Sequence, residues 1–328
     1  MILPSRAACS LHLAATLLLF PGCRKADPDF SRNRDLIAIL DAHDKLETSR
    51  EPKPDLKSGA PEMQSNAEKY VIHGEGGQLF YLEDLRAAVA RWEHLDANLT
   101  IIARVSQALK AQGIRLLVVP APTKVETRPE LLGGRDVPDL SPSKNRFLHG
   151  LDSLNVDFLD LRNDFFAAKR AVRLFPRTDT HWDQSAIRLA AAKIAARIRP
   201  DWKPVGDSGL SDTTVIGFQG DLAEKFQLTE SDTVHLQRVG DGRGGFFVEP
   251  NLAEVILYGD SFLRQYSRYS ASLGAHLSRE LGYPVKTVYS LRGFIEGPER
   301  IREIPASFPR AKVLVWVFTS RSLMEVTF

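Results

Sequence analysis

Short apolar segments that alternate with longer amphipathic ones are the feature that most constrains the fold of this 328-residue chain. A short apolar segment between polar turns is typical of a strand that is buried on both faces of a parallel sheet. Strands that alternate with helices favour such a sheet, with helices covering both of its faces. We therefore predict an α/β fold, a three-layer αβα sandwich with a mostly parallel sheet. The predicted strands are residues 114–120, 157–161, 255–258, 285–289 and 313–318.

The segments between these strands carry apolar residues at spacings of three and four, which predicts amphipathic helices. The longest such pattern covers residues 83–112. Residues 205–250 interrupt the alternation with polar sequence and turns, so we predict an insertion with short β-strands there. The remaining helices are predicted at 267–281, at 298–304, and after a capping Asp183, the last with a buried face of Ile187, Ala190, Ala191, Ile194 and Ile198.

The first 22 residues have the composition of a secretory signal. Arg6 precedes an apolar stretch that is too short to remain as a membrane-spanning helix. Cys23 follows at once, in a setting that resembles the cleavage box of bacterial lipoproteins. We predict a periplasmic protein with a signal peptide at 1–22, a polar spacer at 23–68 and a folded domain at 69–328. Lipidation of Cys23 as the contact with the membrane, plain secretion and a retained N-terminal anchor stay open.

Composition excludes several classes of protein. The chain has 43 Lys+Arg against 41 Asp+Glu, so it lacks the basic excess of a nucleic-acid binder, and we predict no nucleic-acid partner. A hydrophobic fraction of 43% excludes a disordered chain and a polytopic membrane protein. Cys9 and Cys23 both precede the folded domain, which predicts no disulfide within it. The glycine-rich residues 240–245 lack the Lys-Ser/Thr of a phosphate loop, and no cofactor is predicted.

The sequence Gly259-Asp260-Ser261-Phe262 directly follows the predicted strand 255–258. In an open α/β sheet, ligands bind at the carboxyl ends of the strands. A serine at this point lies beside backbone N–H groups that can stabilise an oxyanion. Ser261 is therefore a candidate nucleophile, and Asp260 is predicted to bond the backbone of the turn. The alternative is that Ser261 is only a turn or capping residue.

Asp179 and His181 form a second candidate group, in the sequence Asp-Thr-His-Trp. In extended chain, residues i and i+2 point to the same side, with Cα atoms roughly 6–7 Å apart. The carboxylate can then hold one ring nitrogen and leave the other to act as a base, as in a serine triad. The alternatives are a helix cap or half of a metal site, which needs a third ligand; no HExxH or CxxC pattern is present. Trp182 is predicted to pack and fix the His181 loop.

The Gly-Asp-Ser-Phe sequence after a strand resembles the SGNH/GDSL hydrolase superfamily. Here the Asp-x-His block precedes the serine by about eighty residues, and this order resembles the AlgJ/AlgX-like family of alginate O-acetyltransferases. Residues 178–182, Thr-Asp-Thr-His-Trp, match the block of that family in full. Weaker similarities lie at residues 71–80, 120–124, 128–130, 220–222 and 315–321, so that the resemblance spans about Val71 to Leu323.

The resemblance implies an SGNH-like catalytic domain that forms an acyl-serine, with Ser261 as nucleophile, His181 as base and Asp179 as its orienter. It also implies a polysaccharide as acceptor and a membrane-bound O-acyltransferase as the partner that supplies acetyl groups. An esterase or deacetylase would use the same triad, and a non-catalytic scaffold that binds polysaccharide would keep only the fold. Both alternatives stay open.

Four further residues are candidates for substrate binding. Tyr266 and Arg292 follow the serine strand and the next strand, with surface packing and a solvated charge as their respective alternatives. Arg321 matches the arginine of the closing strand of the family, and its alternative is an ion pair beneath the site. Lys124 ends a predicted strand, and its alternative is a solvated turn lysine.

Overall fold

The computed structural model describes residue 38 and residues 67–134, 141–201, 203 and 209–324. The predicted signal peptide and Cys23 lie outside the described residues, as does the predicted spacer apart from residues 38, 67 and 68. The described strands are β1 (Val71–His73), β2 (Leu79–Tyr81), β3 (Arg115–Ala121), β4 (Leu210–Phe218), β5 (Asp232–Val239), β6 (Val255–Gly259), β7 (Val285–Tyr289) and β8 (Val313–Thr319). The described α-helices are α1 (Ala67–Tyr70), α2 (Leu82–Val89), α3 (Leu95–Lys110), α4 (Lys124–Thr127), α5 (Pro142–Ser153), α6 (Arg162–Ala168), α7 (Gln184–Ile198), α8 (Asp221–Lys225), α9 (Leu273–Leu281) and α10 (Gly297–Ser307).

The central sheet has the strand order β3-β8-β6-β7, and every pair in it is parallel. Val315 of β8 pairs with Leu117 on one side and with Leu257 on the other. Strands β3, β6 and β8 are almost wholly buried, as expected for apolar strands covered on both faces. The predicted αβα sandwich with a mostly parallel sheet is confirmed.

The predicted strand at 157–161 is wrong, because this segment forms only one parallel bridge, between Phe158 and Val118. Asp160 turns the chain away from the sheet. Its carboxylate accepts both the backbone N–H and the guanidinium of Arg162, the first residue of α6. The side-chain bond therefore begins a helix at the point where the ladder would have continued.

Two hydrophobic cores lie on opposite faces of the sheet. Successive strand residues point to opposite faces, so Leu117 packs in the core that holds α7 and α9, whereas Val118 packs in the core that holds α3, α5 and α10. The helix predicted after Asp183 is α7, and the Asp183 carboxylate accepts from the N–H of Gln184 at 2.7 Å. Its predicted face is confirmed as buried at Ile187, Ala190, Ala191, Ile194 and Ile198.

The single helix predicted over 83–112 is wrong, because α2 and α3 are separated by a turn. Trp92 is buried in that turn, where its indole donates to the carbonyl of Ala87 at 3.0 Å and its backbone N–H donates to Ser143 Oγ at 3.2 Å. The apolar spacing continues across the turn because each helix buries one face. Helix α2 packs in a small cluster around Leu85, and α3 packs in the core that also holds α5 and α10.

The helix predicted over 267–281 begins later, as α9. Tyr266 and Ser270 have left-handed backbones, with φ of 58° and 54°, and these interrupt a regular helix. Ser272 then caps α9 by accepting from the N–H of Ala275. The last predicted helix, 298–304, lies within α10.

Strands β4 and β5 form an antiparallel pair, which confirms the short strands predicted within 205–250 for the part that is described. That this segment is an insertion stays a prediction. Val234 and Leu236 of β5 are fully buried in the core that holds α7. Among the described residues, no helix combines the length and apolar character needed to cross a membrane.

Candidate active site

Ser261 and His181 meet at the carboxyl edge of the sheet, although 80 positions separate them in the chain. Ser261 follows β6, and His181 lies on the segment that leads into α7. The Nε2 atom of His181 is 2.8 Å from Ser261 Oγ, and its Nδ1 atom is 2.7 Å from Oδ1 of Asp179. Both are hydrogen-bond distances. The structure thus brings together the three predicted residues, in the connectivity of a nucleophile, a base and its orienter.

The turn that presents Ser261 is held from two sides. Asp260 accepts from the N–H of Phe262 at 3.1 Å and from the N–H of Thr319 at 3.0 Å, which ties the turn to the end of β8. Gly293 packs against the turn, and a Cβ there would lie 2.5 Å from the backbone nitrogen of Asp260, so that this approach requires glycine. Asp260 bonds the backbone of the turn as predicted.

Trp182 connects the His181 segment to the nucleophile turn. Its side chain is fully buried, and its Nε1–H donates to the carbonyl of Phe262 at 3.0 Å. The Phe262 ring lies between the two, with centroid distances of 4.9 Å to His181 and 5.3 Å to Trp182. The imidazole therefore rests on a buried ring that restricts its rotation, and the placement agrees with the packing role predicted for Trp182.

Asp221 is a residue of the site to which the sequence assigned no role. Its Oδ2 atom lies 3.5 Å from His181 Nδ1. Its carboxylate also accepts from the backbone N–H of Thr180 at 2.7 Å and from Thr180 Oγ1 at 2.5 Å. The one available signal was the Gly-Asp-Leu similarity at 220–222, which indicates a turn but not its partner.

The two carboxylates change the ionisation of the site. Burial favours a neutral imidazole, but the charge and hydrogen bond of Asp179 raise the pKa of His181 to about 9. Burial also opposes ionisation of Asp179, yet the charge and hydrogen bonds of His181 lower the pKa of Asp179 to about 2. Asp221 is only partly buried, with 37% of its side chain exposed, and this partial burial together with the charge of Asp179 raises its pKa to about 6. The site therefore favours the protonated form of His181.

Asp221 supplies the third ligand that a metal site would need. One possible ligand atom from each of Asp179, His181 and Asp221 lies within 4.8 Å of the other two. A tetrahedral zinc ion with bonds of about 2.0–2.1 Å would hold neighbouring donors roughly 3.3 Å apart. The Nδ1 atom of His181 and the Oδ1 atom of Asp179 are only 2.7 Å apart, the distance of a direct hydrogen bond. The arrangement therefore fits a triad better than a metal centre.

A cavity of about 190 Å³ opens at Ser261, and Arg292 and Arg321 both line it. The structure thus brings two of the four predicted substrate-binding residues to the nucleophile. Arg321 also forms an ion pair with the buried Asp84, at 2.7 Å between Nη1 and Oδ1. Arg292 is exposed at the rim. The cavity therefore presents to a ligand one cationic group held by an ion pair and one exposed to solvent.

The structure does not bring Tyr266 or Lys124 to this cavity. Tyr266 is 5% exposed, and its Oη atom lies 3.5 Å from Asp183 Oδ1, so that it packs beneath the site. Lys124 is 2% exposed and is neither a substrate contact nor the solvated turn lysine of the alternative. It is buried because its Nζ atom donates, at 2.6–3.2 Å, to the backbone carbonyls of Leu79, Pro176 and Arg177.

Comparison with known proteins adds a family match to this geometry. Residues 71–316 match the model of the SGNH hydrolase-like domain of the acetyltransferase AlgX. The probable alginate O-acetylase AlgJ of Pseudomonas fluorescens is 33% identical over 132 residues, which cover 39% of this chain and 33% of that protein. The match thus spans about a third of the length of the curated relatives.

Two solved structures share the fold. The O-acetyltransferase domain of Pseudomonas putida AlgJ has a TM-score of 0.59 at 21% identity, covering 79% of this chain and 94% of that one. Pseudomonas aeruginosa AlgX has a TM-score of 0.53 at 17% identity, covering 76% of this chain and 61% of that one. With the family model matched from residue 71 to residue 316, this chain belongs to the SGNH hydrolase-like family of the acetyltransferase AlgX.

Proposed function

We propose that the protein is an exported polysaccharide O-acetyltransferase that works through an acetyl-Ser261 intermediate. The observation that carries the proposal is the 2.8 Å contact between His181 Nε2 and Ser261 Oγ, in a chain of an acetyltransferase family. The curated relatives are named probable alginate O-acetylases, which makes alginate or a similar exopolysaccharide the first acceptor to test.

The first half-reaction loads the enzyme. His181 Nε2 takes the proton of Ser261, and Oγ attacks the carbonyl carbon of an acetyl donor. The backbone N–H of Ser261 stabilises the resulting oxyanion. When this intermediate collapses, the bond to the donor breaks, His181 returns the proton to the leaving group, and the acetyl group remains as an ester on Oγ.

The second half-reaction delivers the group. A sugar hydroxyl enters the cavity at Ser261, gives its proton to His181 and attacks the ester carbonyl. Ser261 leaves and regains the proton, so that the enzyme ends unchanged and the sugar carries the acetyl group. Throughout, Asp179 holds the ring nitrogen that does not react. Arg292 and Arg321 line the path, where they can pair with anionic groups of an acceptor.

The proposal includes a place in the cell and a partner. An acetyl-loading step outside the cytoplasm needs a donor from across the inner membrane, and we assign that role to a membrane-bound O-acyltransferase. We propose that residues 1–22 act as a signal that exports the enzyme to the periplasm, and that lipidation of Cys23 holds it near the membrane. Processing and lipidation are read directly from the mass of the mature N-terminus.

The deciding experiment has two stages. First, the protein is exposed to a small activated acetyl ester, and peptide mass spectrometry locates a gain of one acetyl group on Ser261, with Ser261→Ala as the control. Second, an oligosaccharide acceptor is added. Acetylated sugar supports the transferase. Free acetate alone would show that the same triad acts as an esterase or deacetylase, and binding of sugar without any acylation would show a scaffold.

A further inference from the structure

We propose that Asp221 is a second acidic positioning residue of this site, which holds the His181 segment through Thr180 and faces the same ring nitrogen as Asp179. The inference deepens the proposed acyl-serine function and rests on it. Asp221 accepts from Thr180 N–H at 2.7 Å and from Thr180 Oγ1 at 2.5 Å, while its Oδ2 atom lies 3.5 Å from His181 Nδ1. Thr180 stands between Asp179 and His181 in the chain, so that fixing it fixes both neighbours.

The turn that carries Asp221 is docked on the same segment by its backbone. A Cβ at Gly220 would lie 2.3 Å from the carbonyl oxygen of Thr178, so only glycine allows the two chains to come this close. The N–H of Gly220 donates to Thr178 Oγ1 at 3.0 Å, the N–H of Leu222 to the Thr178 carbonyl at 3.2 Å, and the N–H of Asp221 to Asp179 Oδ2 at 3.2 Å. The carboxylate is therefore held in place.

Both half-reactions pass through an imidazolium at His181, and a negative charge near Nδ1 stabilises that ion. Asp179 already supplies one such charge at 2.7 Å, and Asp221 adds another from a second direction. Partial burial and the charge of Asp179 raise the pKa of Asp221 to about 6, so this group is ionised at the pH where the ring loses its proton. Among the described residues, further titratable groups act on His181 or the two carboxylates: Asp260 and Arg321, which interact with the imidazolium in opposite directions, and Lys124, which interacts with both carboxylates.

The test separates charge from packing. Asp221→Asn keeps the size of the side chain and an acceptor for Thr180 N–H but removes the charge. We expect the rising limb of the pH profile for Ser261 acylation by a small activated ester to move to lower pH by roughly one unit. Glu224→Gln removes the same charge from an exposed position on α8 and should leave the limb in place. A limb that does not move in Asp221→Asn overturns the proposal.

A second measurement does not depend on turnover. The pKa of the His181 imidazole is measured by NMR titration in the Ser261→Ala background, with and without Asp221→Asn. We expect Asp221→Asn to lower this pKa by the same amount as it moves the limb of the pH profile. Asp221→Ser is a second neutral variant that should lower the pKa of His181 equally. Asp221→Glu keeps the charge and should leave the pKa of His181 at its value in the Ser261→Ala background. If the pKa of His181 is the same with and without Asp221→Asn, the proposal is overturned, whatever happens to activity. Neither readout uses a sugar acceptor, so failure of acetyl transfer to sugar and failure of this inference give different results.

Discussion

The indole Nε1–H of Trp182 donates a 3.0 Å hydrogen bond to the backbone carbonyl of Phe262, so the residue after the base is tied to the residue after the nucleophile. The two segments come from distant parts of the chain, and this bond lies within the buried core. The 2.8 Å contact between His181 and Ser261 is therefore supported by packing below it.

Trp182→Phe should lower the rate of Ser261 acylation by roughly ten- to a hundred-fold, because the aromatic packing remains but the link between the two segments is lost. The variant should also lose about 1–3 kcal/mol of stability, since a buried carbonyl is left without its donor. Trp92→Phe is the matched control: its indole makes a 3.0 Å bond to the Ala87 carbonyl away from the site, and its loss should cost stability but not acylation rate. Equal kinetic effects in both variants would contradict the assignment.

The ion pair of His181 and Asp179 should make stability depend on pH. The folded pKa of His181 is raised from 6.5 to about 9, so its contribution is complete below 6.5 and is lost as the pH rises through 9. The folded pKa of Asp179 is lowered from 3.8 to about 2, so its contribution is complete above 3.8 and is lost as the pH falls through 2. Thermal melting should then show the largest penalty of Asp179→Asn between pH 3.8 and 6.5. A penalty that is the same at every pH would show that the pair is not ionic.

Arg292→Ala should weaken the use of an anionic oligosaccharide acceptor more than it slows acylation of Ser261 by a neutral ester. An exposed cation contributes little, so we expect KM for the acceptor to rise roughly two- to five-fold, and less at high salt. Arg302→Ala, which removes an exposed arginine on α10 outside the cavity lining, is the control. If the two variants have the same KM at low salt, Arg292 does not contact the acceptor.

Lys124→Met should destabilise the fold by about 2–4 kcal/mol, because three backbone carbonyls would lose their common donor. Burial lowers the pKa of Lys124 to about 8, although the carboxylates of Asp179 and Asp221 oppose that shift. Chemical denaturation at pH 7 measures the loss. The folded fraction should keep a KM for acceptor close to that of the wild type; a large rise in KM without loss of stability would restore the substrate-binding role predicted from the sequence.

Prediction from the sequence worked where burial alone fixes the local structure. The strands at 255–258 and 313–318 are apolar on both faces, as is typical of strands in a parallel sheet that helices cover on both sides. It failed at 83–112, where Trp92 turns the chain without breaking the apolar spacing, and at 157–161, where a carboxylate of Asp160 ends the ladder. In both failures a side-chain contact decided the path of the backbone.

The site residues show the same difference between local contacts, which the sequence predicts, and contacts that depend on tertiary packing. Asp179 and His181 are two positions apart, so their contact is local and the sequence shows it. Arg292 reaches the cavity because the strand that precedes it ends at the same edge as β6. Tyr266 does not, because a left-handed backbone at that residue turns its ring into the core. The Gly-Asp-Leu similarity marks a turn at Asp221 but not its partner, because Thr180 is 41 positions away in the chain.

The sequence by itself determined the alternation of the central parallel strands with helices, the two chemical motifs and the contact between Asp179 and His181, because each depends on residues within a few positions of one another. Only the tertiary structure decided that His181 reaches Ser261 and that Asp221 faces the same imidazole ring. It also decided that the amine of Lys124 donates to backbone carbonyls. These are distances between segments tens of residues apart, and they are set by how the core packs.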